Sequence, residues 1–204
     1  FSTAHVYGSP LSGDLNENIL PTPQHPYATT HYIAEKHLVK ASNNKLIEGV
    51  VLRLTNAVGA PLHKNVNCWM LVSNDLCRQV VTKKIMTLKS YSLLERDFIS
   101  ILDICKVVRN IINNIELQNG VFNLSSGVSL TLRDLANLIS QRATKILKYT
   151  PSIEFASKDD TIPIHYESLH ISNDKLKKYG VKVNSNIENE IDDLLINCNN
   201  WFFK

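Results

Sequence analysis

Phe1-Ser2-Thr3-Ala4-His5-Val6-Tyr7-Gly8 opens the chain, and its reading together with Gly49-Val50-Val51-Leu52-Arg53-Leu54 decides the fold. Phe1 to Val6 reads as the end of a buried strand, with the Thr3 hydroxyl at that end and a turn through Gly8. Four prolines (Pro10, Pro21, Pro23, Pro26) and Gly13 mark an irregular loop from Ser9 to Pro26. Tyr27 to Ala41 favours helix, with Tyr27, Thr30, Ala34, Leu38 and Ala41 on one expected face. Gly49–Leu54 is a short apolar strand ending at Thr55-Asn56. Helix alternating with buried strand predicts βαβ units and a parallel sheet, hence an α/β fold.

The rest of the chain follows the same logic. Helices are predicted over Trp69–Val81, Asp103–Leu117 and Ser172–Tyr179, the last stopped by Gly180. Strands are predicted over Lys84–Leu88, Asp97–Ile101, Val121–Leu124 and Ser152–Ala156. Thr131-Leu132-Arg133-Asp134 has the form of a capping box for a helix reaching about Leu147, and Ser185-Asn186-Ile187-Glu188 opens a last helix.

Composition narrows the function classes. The chain has 204 residues, 44% hydrophobic and 20% charged, with a formal net charge of +3 and the signs interspersed. Length and apolar content suffice for a sizeable core. Charge patterning gives no support to nucleic-acid or membrane-surface binding. No apolar run approaches the roughly 18 residues of a membrane helix, so no membrane partner is expected. Four cysteines without C-x-x-C spacing read as reduced thiols of a cytoplasmic protein, and no metal site is expected.

Thr3, then Val6-Tyr7-Gly8, then Pro26-Tyr27 with His31 and Glu35 on one helix, resembles the active-site segment of the extended short-chain dehydrogenases/reductases, the NAD-dependent epimerase/dehydratase family. Three later stretches resemble the family's pattern in order: Arg53-Leu54-Thr55-Asn56-Ala57-Val58-Gly59, Arg96-Asp97-Phe98-Ile99 with Asp103, and Gly120-Val121-Phe122-Asn123-Leu124-Ser125-Ser126-Gly127. The resemblance implies the second half of a Rossmann-type parallel sheet over residues 1–60, with the active-site segment. Residues 61–204 would be a smaller mixed α/β substrate-binding region. It implies a parent enzyme that is an NAD(P)-dependent nucleotide-sugar epimerase, a homodimer of polysaccharide biosynthesis working through a keto-sugar made by hydride transfer to NAD or NADP. Thr3 would orient the sugar hydroxyl and Tyr27 would be the base. Tyr27 and His31 would also meet the cofactor, and Asn56 and Arg96 would grip the substrate's diphosphate.

A tyrosine serves as base when a neighbouring cation lowers its pKa from about 10. The family has lysine where this chain has His31, and histidine is shorter and titrates near about 6.5. A second register, Tyr32 with Lys36, satisfies Y-x-x-x-K literally but lacks the preceding proline. Ala4 and His5 stand where dehydratases of the family carry a carboxyl pair, which disfavours sugar dehydration. A reductase or dehydrogenase acting on another carbonyl, and a truncated non-catalytic remnant, stay open.

Glycine is scarce, seven in all, and none falls in a G-x-G-x-x-G turn. Weak NAD(H) binding by this chain is therefore expected. The chain begins with Phe1, and in the family this segment follows the dinucleotide-binding half, so the expectation is the C-terminal part of a longer enzyme. Phe1–Val6 and Val50–Leu54 would then lack strand neighbours.

Overall fold

The computed structural model describes residues 1–88, 93–117, 119–155, 167–184 and 186–203. In chain order these form β1 (Ser2–Thr3), a 3-10 turn (Ala4–Tyr7), β2 (Asp14–Leu15), α1 (Pro26–Asn43), β3 (Val50–Leu54), β4 (Asn56–Val58) and α2 (Val72–Lys83). Then follow β5 (Ile85–Leu88), β6 (Arg96–Ser100), α3 (Ile101–Asn113), a 3-10 turn (Ile115–Leu117), β7 (Gly120–Leu124), β8 (Ser129–Leu130) and α4 (Leu132–Leu147). β9 (Ser152–Phe155), β10 (His170–Ile171), α5 (Asp174–Lys178) and α6 (Glu188–Phe202) complete the described chain.

The chain divides into two compact units, each assembled from three segments. The first takes Phe1–Ala57, Glu95–Ser129 and Tyr166–Ser185. Its sheet runs β1-β3-β7, all parallel, with Ser2 opposite Arg53 and Leu52 opposite Phe122. Val50–Leu54 is thus the central strand, where the sequence predicted a strand without neighbours. The correction is a long-range one: β7 reaches it from some seventy residues further along (Val50 pairs Gly120). Leu52, Ile99, Val107, Phe122, Leu124 and Leu176 are fully or nearly buried in the core of this unit. The expected strand over Phe1–Val6 is only Ser2–Thr3, because Thr3 caps the 3-10 turn by accepting the His5 backbone N–H at 3.3 Å.

The two edges of that sheet differ. On β7, the Asn123 backbone N–H donates to Glu17 Oε1 at 2.8 Å and Lys175 Nζ donates to the Val121 carbonyl at 2.7 Å. Side chains therefore close that edge. β1 pairs only with β3 among the described residues.

The second unit holds Val58–Leu94, Leu130–His165 and Asn186–Lys204. β5 pairs in parallel with β9, and α2, α4 and α6 bury Leu76, Val80, Leu135, Ile139, Leu194 and Leu195. The capping box at Thr131 forms as predicted, with Asp134 as the reciprocal partner. Arg142 on α4 holds Glu188 and Asp192 of α6. Trp69 meets Phe202 edge-on, centroids 4.9 Å apart.

Two sequence readings need correction in α1 and α3. The face of α1 that packs inward is defined by Ala28 and Glu35, while Tyr27 and Ala34 are exposed. The inward polar residue is explained by the partners that receive it, described next. α3 ends at Asn113 and a 3-10 turn carries the chain to Leu117. The strand end expected at Ala156 and the helix start expected at Ser185 lie outside the described residues.

Candidate active site

Glu35 reaches from α1 into the first unit and is 4% exposed. Its carboxylate accepts the Ser2 hydroxyl at 2.5 Å and three hydrogen bonds from Arg53, two from Nε at 3.1 and 3.2 Å and one from Nη2 at 2.8 Å. Arg53, on β3, is also 4% exposed and lies over the Tyr7 ring at 4.8 Å. Burial alone would lower the Arg53 pKa, but the hydrogen bonds to Glu35 and the contact with Tyr7 outweigh it and raise it. Burial likewise pushes the Tyr7 phenol up, against the pull of Arg53 and Asn123, so Tyr7 stays a donor. It donates to Asn123 Oδ1 on β7 at 2.7 Å. Charge-assisted, bidentate bonds of this kind offset part of the desolvation of both ions, while Arg53 Nη1 is buried with no hydrogen-bond partner among the described residues. They tie α1, β1, β3 and β7 together, and so fix the helix that carries the expected site residues.

Tyr27 lies in the first turn of α1 and is 54% exposed. Its ring meets that of His31 edge-on, centroids 4.6 Å apart. A cleft of about 290 Å³ is lined by His5, Ser9, Gln24, His25, Tyr27 and Ala28. Thr3 is not among the lining residues: it is buried, and its hydroxyl accepts the His5 N–H. Desolvation, the Arg96 guanidinium and the neighbouring His25 together hold the His5 pKa below its usual value. Arg96 is half-buried, lowered in pKa by desolvation alone, and makes no hydrogen bond or ion pair among the described residues. Of the expected site residues, Tyr27 lines the cleft and His31 touches it, while Thr3 and Arg96 are linked to the cleft only through His5.

Asn56 is engaged elsewhere. Its Nδ2 donates to the Asp97 carbonyl at 2.9 Å. The Asp97 carboxylate accepts from Thr55 Oγ1, the Ser126 N–H and hydroxyl, and the Gly127 N–H. Burial raises its pKa and these hydrogen bonds oppose the rise. The second register occupies different ground: Lys36 Nζ lies 5.0 Å from the Tyr32 ring centre, and both line a separate cavity of about 470 Å³ with Glu35 and Arg53. Sequence reasoning did not single out His25. Its one signal is a position just before Pro26, where a helix begins.

The parallel β1-β3-β7 sheet, with α1 between β1 and β3, is part of a Rossmann-type α/β fold. The model of the NAD dependent epimerase/dehydratase family matches residues 1–125, and the chain belongs to that family. It is 27% identical over 163 residues to GDP-6-deoxy-D-talose 4-dehydrogenase of Aggregatibacter actinomycetemcomitans, covering 78% of this chain and 52% of that one. Against UDP-glucose 4-epimerase of Rhizobium leguminosarum bv. trifolii identity is 25% over 154 residues, covering 69% and 47%. The chain thus spans about half the length of these curated relatives. Among solved structures it is similar to RMD from Pseudomonas aeruginosa complexed with NADPH, with TM-score 0.77, 19% identity, and 98% and 65% of the two chains covered. It is also similar to UDP-glucuronic acid 4-epimerase from Bacillus cereus in complex with NAD, with TM-score 0.79, 20% identity, and 98% and 60% covered.

Proposed function

We propose that this chain is the substrate-side part of an NAD(P)-dependent nucleotide-sugar epimerase. The observation that carries the reading is Arg96: a half-buried guanidinium with no partner among the described residues, close enough to His5 to lower its pKa. An anion is the ligand that such a group binds best. A diphosphate held there would bring its sugar toward the cleft that Tyr27 lines. Residues 1–60 would supply the catalytic segment and 61–204 the substrate-binding region. By family likeness the complete enzyme is read as a cytoplasmic homodimer.

The residues present suit the cofactor only in part. Tyr27 and His31 are adjacent on α1 and offer a phenol and an imidazole to the ribose end of NAD(P). The pyrophosphate end needs glycines for a tight turn and close backbone approach, and the 204 residues contain no such turn. When bound, the nicotinamide would remove hydride from a sugar carbon and return it. In this chain Thr3 holds the sugar hydroxyl, Tyr27 takes its proton, and His31 stabilises the phenolate.

A dehydrogenase is the second reading, favoured by the 27% identical GDP-6-deoxy-D-talose 4-dehydrogenase. It predicts net consumption of cofactor, whereas an epimerase leaves the cofactor unchanged. Calorimetric titration of the chain with UDP- and GDP-sugars, against the free sugars, tests the shared part. Binding of the nucleotide sugars, weakened roughly tenfold to a hundredfold by Arg96→Ala, is expected for loss of one charged hydrogen bond. Equal binding of wild type and Arg96→Ala, or none by either, removes the reading.

A further inference from the structure

Helix α1 begins at Pro26, which has no N–H, so Tyr27 carries the first backbone donor left without a partner inside the helix. That donor goes to a histidine: Tyr27 N–H to His25 Nδ1 at 3.2 Å. The His25 carbonyl in turn accepts from the Thr29 N–H at 2.9 Å and the Thr29 hydroxyl at 3.1 Å. His25 therefore occupies the N-cap, where serine, threonine, asparagine or aspartate usually stands.

A backbone N–H can only donate, so Nδ1 must hold a free lone pair and the neutral ring carries its proton on Nε2. We infer that His25 is the positioning residue of Tyr27, fixing the start of α1 and the edge of the cleft in its neutral state alone. Protonation removes the acceptor and puts a positive charge at the positive end of the helix dipole. Among the described residues, the titratable groups that share the cleft with it are His5 from the 3-10 turn and Tyr27 from α1, while Arg96 acts on His5 and His31 touches Tyr27. None is a carboxylate that would stabilise the imidazolium. The function of the device rests on Tyr27 being the base proposed above, but its existence does not.

The test is a pH titration of the labelled protein by NMR, read at the His25 ring nitrogens and the Tyr27 amide. The expected result is a neutral His25 with Nδ1 unprotonated, and a Tyr27 amide proton that shifts with the same midpoint as the ring. His25→Asn, which keeps a capping acceptor, should leave Tm nearly unchanged and make the Tyr27 amide indifferent to that titration. His25→Ala should lower Tm by about 2–4 °C, the usual effect of a lost cap in a domain of this size. A Tyr27 amide that does not follow His25, or Asn and Ala variants that behave alike, overturns the proposal. If the coupling holds while Tyr27→Phe leaves turnover of the active enzyme intact, the assignment of Tyr27 as base falls and the cap stands.

Discussion

Glu35 and Tyr27 belong to one helix, about two turns apart, and live under opposite rules. Glu35 is buried, holds three hydrogen bonds from Arg53 and one from Ser2, and faces the sheet. Tyr27 is exposed, touches His31 and is held only through its backbone. The inner pair makes the helix stay where it is, and the outer residues are free to meet a ligand. Positioning and chemistry are therefore separable by mutation, which gives a graded set of tests.

The largest effect is expected at the inner end. Glu35→Ala leaves the Arg53 guanidinium buried without its counter-ion, which costs about 3–5 kcal/mol. Denaturant unfolding measures it, and a loss under about 1 kcal/mol would mean that water reaches Arg53 and that the two regions are less distinct than described.

Asp97 comes next. Asp97→Ala removes the acceptor that the Thr55 hydroxyl and the Ser126 and Gly127 N–H groups share, for about 1–3 kcal/mol. Because burial raises the Asp97 pKa, its linked stabilisation is greatest below the ordinary carboxylate pKa and declines as pH rises through the raised value. Asp97→Asn should flatten that stretch of the stability–pH curve, and an unaltered slope would assign it to other carboxylates.

At the outer end, Tyr27→Phe should change stability by less than about 0.5 kcal/mol, as exposed substitutions do. A larger loss by thermal melting would make Tyr27 a structural residue and erase the contrast with Glu35.

The smallest effect is a slope. The His5 pKa is lowered, so the unfolded chain binds the proton more readily and stability is lost as pH falls through the imidazole range. His5→Gln should reduce that loss without altering the melt at pH 8. The opposite sign would show that His5 gains an anionic partner.

The fold class is legible because β3 is an apolar run and α1 a long helix, bounded by Gly49 and Pro26. Apolar spacing points to the wrong face of α1, because the inward position belongs to Glu35, whose partner Arg53 arrives from the next strand. No local pattern carries that pairing. The neighbour of β3 was missed for the same reason, since β7 lies far along the chain. Thr131 and Asp134 were read correctly because a capping box is complete within four residues. In the candidate site, the placing of Tyr27 and His31 on one helix follows from the sequence, whereas the hold on Asn56 by Asp97 and the cap by His25 depend on tertiary contacts and on a residue outside the usual capping set.

Glu17 and Lys175 make the first unit's sheet a one-way structure. A strand arriving beyond β7 would first have to displace the Glu17 and Lys175 contacts, so these two side chains bias any edge-to-edge pairing of this sheet toward its β1 side.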